Sequence, residues 1–386
     1  MQPITKRIYF IDAIRAFAII MMLQGHFVSS LLGQEFRDRS NWVYWMWEYF
    51  RGITAPIFFT ITGFVFVFLL LNKTAVGREN PRVKKGVKRA IKLILWGYAL
   101  HLSFTTLFNG GINSNFFLIN VLHIIGLSVL LIIGLYVLLY KRSEKLFQYS
   151  LLIIGIAAFL WERTYVNFSF SFLPDFMANW FTKANGSVFV LFPWFGYVAA
   201  GGFMSIVFKR MHHNQNFYKW FIYSLLCLGA VLVYFSSFGL LLLHDLTGIE
   251  IFKASASYNY LFTRMGDVLL IFAVFAMLRK LFEHRTVVSI GSKTLSIYII
   301  HFIVLYGSFT GIGLTHYLYA SLNPIEAILG ALTFIVVICL VVVQYFKYEP
   351  MLKLGAIRLV TWVQKQFASM IAKLIARSRL SKQRNR

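Results

Sequence analysis

The sequence predicts an all-α integral membrane protein, a polytopic bundle of about ten transmembrane helices. Three observations carry that prediction. Hydrophobic residues make up 59% of the 386 and charged residues 13%, with a mean hydropathy of +0.68, whereas a soluble domain carries roughly 25% charge. The apolar runs are about 20 residues long, the length of a helix that crosses a bilayer, not the ten-residue alternations of a barrel. The cations are also sorted to one side. With the N-terminus placed inside, 30 Lys and Arg fall on inner segments and 7 on outer segments and span edges, with Arg15 inside the first span. That bias orients both termini to the cytoplasm.

The ten expected spans are 11–33, 53–72, 89–109, 116–140, 146–162, 187–208, 219–243, 259–281, 289–310 and 325–347. The basic start before the first run resembles a signal peptide, but no small-residue cleavage site follows, so the run is read as a retained span. Outer connections are expected at 34–51, rich in Trp and Tyr, and at 163–185 and 245–257. The inner loop 73–89 is basic. From Met351 to Arg377, Ile357, Val360, Val363, Phe367, Ile371 and Leu374 recur at helical spacing between Lys and Arg, as in an amphipathic helix on the inner leaflet. The chain is thus divided into a membrane domain, 1–350, and a basic amphipathic tail, 351–386.

The net charge of +24 would suit nucleic acid, but the cations sit in short loops and the tail, which is a topology signal rather than a nucleic-acid footprint. Cys227 and Cys339 both lie in apolar runs and imply neither a disulfide framework nor a metal site. No Walker A, G-x-S-x-G or H-E-x-x-H pattern occurs.

The first span, IDAIRAFAIIMMLQGHFVSSLL, carries Asp12, Arg15, Gln24 and His26. Ionisable groups inside a span are costly and mark functional candidates. Arg15 and His26 are eleven residues apart, about three turns plus 20°, so they share one helix face roughly 16 Å apart. An imidazole titrates near neutral pH and can act as general base or acyl acceptor. Arg15 is either an anchor for an anion or a snorkelling side chain paired with Asp12. Arg82, Lys85, Lys88 and Arg89, beside Arg78 and Lys84, are candidates for binding phosphates, although topology signalling accounts for them equally. Trp47, Glu48 and Arg51 are candidate acceptor-binding groups at the outer face. Further intramembrane polar groups are His101, Asn120, His123, His301 and the pair Arg264/Asp267, whose three-residue spacing suggests an ion pair.

At these residues the sequence resembles the transmembrane acyltransferase superfamily, which includes the acyltransferase-3 proteins and the catalytic region of heparan-α-glucosaminide N-acetyltransferase. IDAIRAFAIIMMLQGHF matches the Arg-x10-His pattern of the acyltransferase-3 branch at Arg15 and His26. RGITAPIFFTITGFVFVFLL is similar to the second span of both branches. NVLHIIGLSVLL adds a third match. FPWFGYVAAGGFMS looks most like the heparan branch, and SIYIIHF, around His301, resembles a late acyltransferase-3 span. The heparan branch has asparagine where His26 aligns and keeps a catalytic histidine in the outer loop. Here 34–51 contains no histidine.

The resemblance implies transfer of an acyl group, usually acetyl, from acetyl-CoA as co-substrate on the cytoplasmic side. The acceptor would be a hydroxyl or amine of a sugar or lipid-linked glycan on the outer side. Arg15 and His26 would be catalytic. Arg15, Arg82, Lys85, Lys88 and Arg89 would bind the donor, and Trp47, Glu48, Arg51 and His301 the acceptor, without a metal. Membrane lipids and a second copy in a homodimer are the other expected partners, nucleic acid is not, and the expected location is a bacterial cytoplasmic (inner) membrane. The competing expectations are a transporter or flippase for an anionic lipid or glycan, and a scaffold anchored by its basic tail.

Overall fold

The computed structural model describes residues 7–72, 75–112, 114–212 and 216–384. No β-strand forms among them; the only pairings are isolated bridges at Leu32/Leu322 and Ser103/Phe309. The long helices are α1 (Tyr9–Leu31), α2 (Trp42–Leu71), α3 (Pro81–Ala99), α4 (Val121–Leu139), α5 (Glu144–Leu160), α6 (Leu191–Met211), α7 (Phe217–Thr247) and α8 (Tyr260–Met277), then the consecutive pair α9 (Arg285–Ser292) and α10 (Thr294–Tyr306), and α11 (Pro324–Arg384). Seven helices are long and apolar enough to cross a membrane, and the pair α9/α10, bent by 66°, gives an eighth if counted as one span. The protein is an all-α polytopic membrane protein. Each of the ten expected segments falls on one of these helices or on that pair. The two that fail the test are α3, whose first half is basic, and α5, which has only 17 residues.

Helix boundaries depart from expectation where caps override hydropathy. Residues 34–51 are not all loop. The Asn41 side chain accepts from the amides of Val43 and Tyr44 at 2.9 and 3.4 Å and starts α2 at Trp42, as an Asn N-cap should. Trp47, Glu48 and Arg51 therefore sit on helix. At 30 residues, α2 is about 45 Å long, well beyond a hydrocarbon core of roughly 30 Å. The inner loop likewise ends early, because Asn80 caps Arg82 at 2.9 Å and Pro81 occupies the first helical position. So α3 begins at Pro81 rather than 89, and it stops at Ala99; Phe104–Phe108 is a separate short helix. The ninth expected span is two helices broken at Lys293. The expected tail helix is the continuation of α11, and the side chains of Ile357, Val360, Val363, Phe367, Ile371 and Leu374 lie outside the described ones.

The chain forms two compact units, Met1–Ile335 and Val336–Arg386. In the first, helices approach through glycine. Lipid is as apolar as a protein core, so helix association depends on close packing. A methyl on Gly63 of α2 would overlap the Val198 carbonyl of α6, and one on Gly201 would overlap that of Thr60. Gly86, Ala90, Leu93 and Gly97 form the buried stripe of α3. Opposite that stripe, a methyl on Gly126 of α4 would lie 2.7 Å from the Ala90 carbonyl oxygen. Gly291 of α9 lies against the Asp12 carbonyl of α1 in the same way. Helices α1, α2, α3, α4 and α10 border one space.

Candidate active site

That space is a cavity of about 470 Å³. Its wall on α2 extends from Arg51 to Leu69, eighteen residues or about 27 Å along the helix, comparable to the hydrocarbon thickness of a bilayer. On α1 the wall includes both Arg15 and His26, so the shared face expected from their spacing is the face turned to the cavity.

One end is basic. Arg15, Arg82, Lys85 and Arg89 line it, and Thr294 and Leu295 close it from the start of α10. Arg15 donates to Thr294 Oγ1 at 3.2 Å and pairs with Asp12 at 3.6 Å. Asp12 also holds Arg7 at 2.7 Å, so one carboxylate serves two guanidinium groups. Lys88 is outside the wall and exposed. Adding Arg51 at the opposite end, the wall carries five cations and, among the described residues, no aspartate or glutamate. Such a field in a low-dielectric cleft favours a polyanion.

The other end is built around His26. Its Nδ1 lies 3.2 Å from Nε2 of His301 on α10. His301 is fully buried behind His26 and does not line the cavity. Arg51 donates to Ser29 Oγ at 2.7 Å and lies 5.4 Å over the Trp47 ring. Trp47 itself donates to Gln24 Oε1 at 2.7 Å, and Gln24 returns to the Met21 carbonyl of its own helix at 3.0 Å. Glu48 receives both ends of the Arg39 fork at 2.7 and 2.9 Å. Of the three outer-face candidates, only Arg51 lines the cavity; Trp47 and Glu48 do not.

Arg264 and Asp267 pair at 2.9 Å as their spacing suggested. Tyr49 adds a hydrogen bond to Asp267 at 2.8 Å and a ring face 4.0 Å from the guanidinium. The network ties α2 to α8 and leaves Tyr260 on the cavity wall. Sequence reasoning missed Tyr260, Thr294, Phe189 and Trp194, all of which line the cavity. Trp194 lies in the FPWFGYVAAGGFMS stretch, which was the available signal. His101, Asn120 and His123 are brought together elsewhere, between α3 and α4, and none lines the cavity. No group of three or more His, Cys, Asp or Glu placed to hold a metal occurs among the described residues.

One imidazole, His26, and five cations thus line the same cavity. No curated protein matches the sequence. Residues 7–238 match the family model described as heparan-alpha-glucosaminide N-acetyltransferase, catalytic; this stretch holds α1 to α6, most of α7 and, except for residues from α8 and α10, the cavity wall. The chain belongs to the heparan-alpha-glucosaminide N-acetyltransferase catalytic family and is, by class, an acetyltransferase embedded in the membrane.

Proposed function

We propose that the protein moves an acetyl group from acetyl-CoA, bound from the cytoplasm, to a hydroxyl or amine of a sugar or lipid-linked glycan on the outer side of a bacterial cytoplasmic membrane. In this reading ten spans with cytoplasmic termini make up residues 1–350, and 351–386 form a basic tail. The observation that carries it is the cavity wall holding four cations at one end and His26 near the other, with no acid between them among the described residues.

Coenzyme A is a polyanion on a long flexible arm. Arg15, Arg82, Lys85 and Arg89 hold its phosphates, with Lys88 adding charge at the mouth. The roughly 16 Å from Arg15 to His26 leaves the thioester beside the imidazole. The acceptor enters past Arg51, whose guanidinium lies over the Trp47 ring. His26 Nε2 removes the acceptor proton as the nucleophile attacks the acyl carbon, then passes it to the leaving thiolate. Direct attack and a short-lived acyl-imidazole both use the same nitrogen.

The test is acetyl transfer from labelled acetyl-CoA by purified protein in proteoliposomes, wild type against His26→Ala. Folded His26→Ala protein with the wild-type rate would overturn the assignment. A cavity nearly as long as the bilayer is thick also suits a transporter or flippase for an anionic ligand. That alternative moves its substrate without releasing free CoA thiol, so a thiol assay in the same vesicles separates the two.

A further inference from the structure

The second histidine of the site touches the first without touching the cavity. His301 is fully buried, and its Nε2 lies 3.2 Å from His26 Nδ1. One of these nitrogens donates and the other accepts, and the choice decides what His26 presents to the cavity. If His301 donated, His26 would carry its proton on Nε2 and offer a donor. If His301 accepts, His26 carries the proton on Nδ1 and offers a lone pair.

The surroundings of His301 select the second case. Its other nitrogen, Nδ1, has no hydrogen-bond partner. The polar groups beside the ring on its own helix are the carbonyls of Tyr298 and Ile297, which can only accept. A proton on His301 Nδ1 therefore sits in the field of two carbonyl dipoles that attract it, whereas a lone pair there would face their oxygens. A neutral imidazole protonated on Nδ1 has an acceptor at Nε2. The ring is also held edge-on by Tyr298 at 5.0 Å and by Phe302 at 5.9 Å, so it cannot turn freely.

We propose that His301 is a positioning residue that accepts a hydrogen bond from His26 Nδ1–H and so fixes the tautomer in which His26 Nε2 is a base open to the cavity. The proposal rests on the reading of His26 as general base. In the step it serves, the acceptor O–H or N–H bond breaks and its proton goes to His26 Nε2. The acceptor atom bonds to the acyl carbon, the thioester C–S bond breaks, and the proton then passes from Nε2 to the thiolate to give free thiol. While His26 is an imidazolium, its bond to His301 is charge-assisted and therefore stronger. A neutral partner gives this orientation without a buried carboxylate, whose ionised form would be costly to desolvate.

The experiment compares wild type, His301→Ala, His301→Gln and His26→Ala in nanodiscs. Histidine nitrogen-15 NMR, with His26→Ala for assignment, reads the tautomer and needs no acceptor. Thiol release from acetyl-CoA with glucosamine as probe acceptor gives kcat and KM. We expect wild-type His26 to be protonated on Nδ1 and His301→Ala to lose that preference. In His301→Ala, kcat should fall on the order of 10²-fold with KM for acetyl-CoA within about twofold. His301→Gln, whose amide oxygen can accept from Nδ1–H, should recover the tautomer and part of kcat. A wild-type His26 protonated on Nε2, or one unchanged by His301→Ala, overturns the proposal. So does a kcat loss that His301→Gln does not relieve. Wild-type turnover in His301→Ala with none in His26→Ala removes this proposal alone, while wild-type turnover in His26→Ala removes the reading beneath it.

Discussion

Two histidine clusters lie within the bundle, and they are built from the same materials. His26 and His301 meet between α1 and α10. His123 meets Asn120 and, through it, His101, between α3 and α4. His123 and His301 are both fully buried. In the second cluster most contacts serve the backbone, and His123 Nε2, which does not reach the cavity, has no hydrogen-bond partner. His123 Nδ1 accepts from the Asn120 amide at 3.1 Å, and Asn120 Oδ1 accepts from Leu122 N at 3.0 Å, closing a capping box. Asn120 Nδ2 donates to the Gly97 carbonyl at 3.1 Å, where a methyl on Gly97 would come within 2.6 Å of the His123 ring. In the first cluster, one nitrogen of His26 is fixed by a neighbour and the ring lines open space. Burial and polarity do not separate a site from a brace; access to a cavity does.

The contrast can be broken at its strongest point first. His26→Ala should lower kcat for acetyl transfer by roughly 10²- to 10⁴-fold, measured per folded molecule in detergent. His123→Ala should do the reverse. Losing the imidazole that satisfies the Asn120 amide should cost about 1–3 kcal/mol of stability, read as a lowered melting midpoint, while the rate per folded molecule stays near wild type. Arg89→Gln acts on the basic end of the cavity, and losing one charge-assisted phosphate contact should raise KM for acetyl-CoA about tenfold. Wild-type KM should also rise with salt, because the wall cations act through a field that ions screen. The smallest effect is expected at the brace: Asn120→Ala removes an N-cap worth about 1 kcal/mol, measurable as a small melting shift with KM unmoved. Equal loss of activity from His26→Ala and His123→Ala would erase the distinction.

Much of this was legible in the sequence where one helix decides the outcome. The eleven-residue spacing put Arg15 and His26 on one face, and that face is the cavity wall. The basic run before the third span was visible, and Arg82, Lys85 and Arg89 reach the same wall. What spacing does not contain is which helix faces which. His301 is 275 positions from His26, and long-range packing such as the seating of Gly291 on Asp12 and the Arg15–Thr294 bond brings their helices together. Tyr260 and Trp194 reach the wall by the same kind of long-range packing. The boundaries at Trp42 and Pro81 were missed for a local reason. Asn41 and Asn80 are strong caps, and hydropathy windows do not register a cap.

Arg15 and His26 share one rigid helix, and this makes their separation a gear ratio rather than a distance that neighbouring helices can adjust. One residue inserted between them would turn His26 by about 100° and advance it by 1.5 Å, taking the imidazole off the wall and out of reach of His301. Four inserted residues would nearly restore its direction but lengthen the run by about 6 Å, more than one turn of helix. Phase and depth cannot both be kept by any other short spacing, so insertions in this span are expected to be tolerated far less well than substitutions.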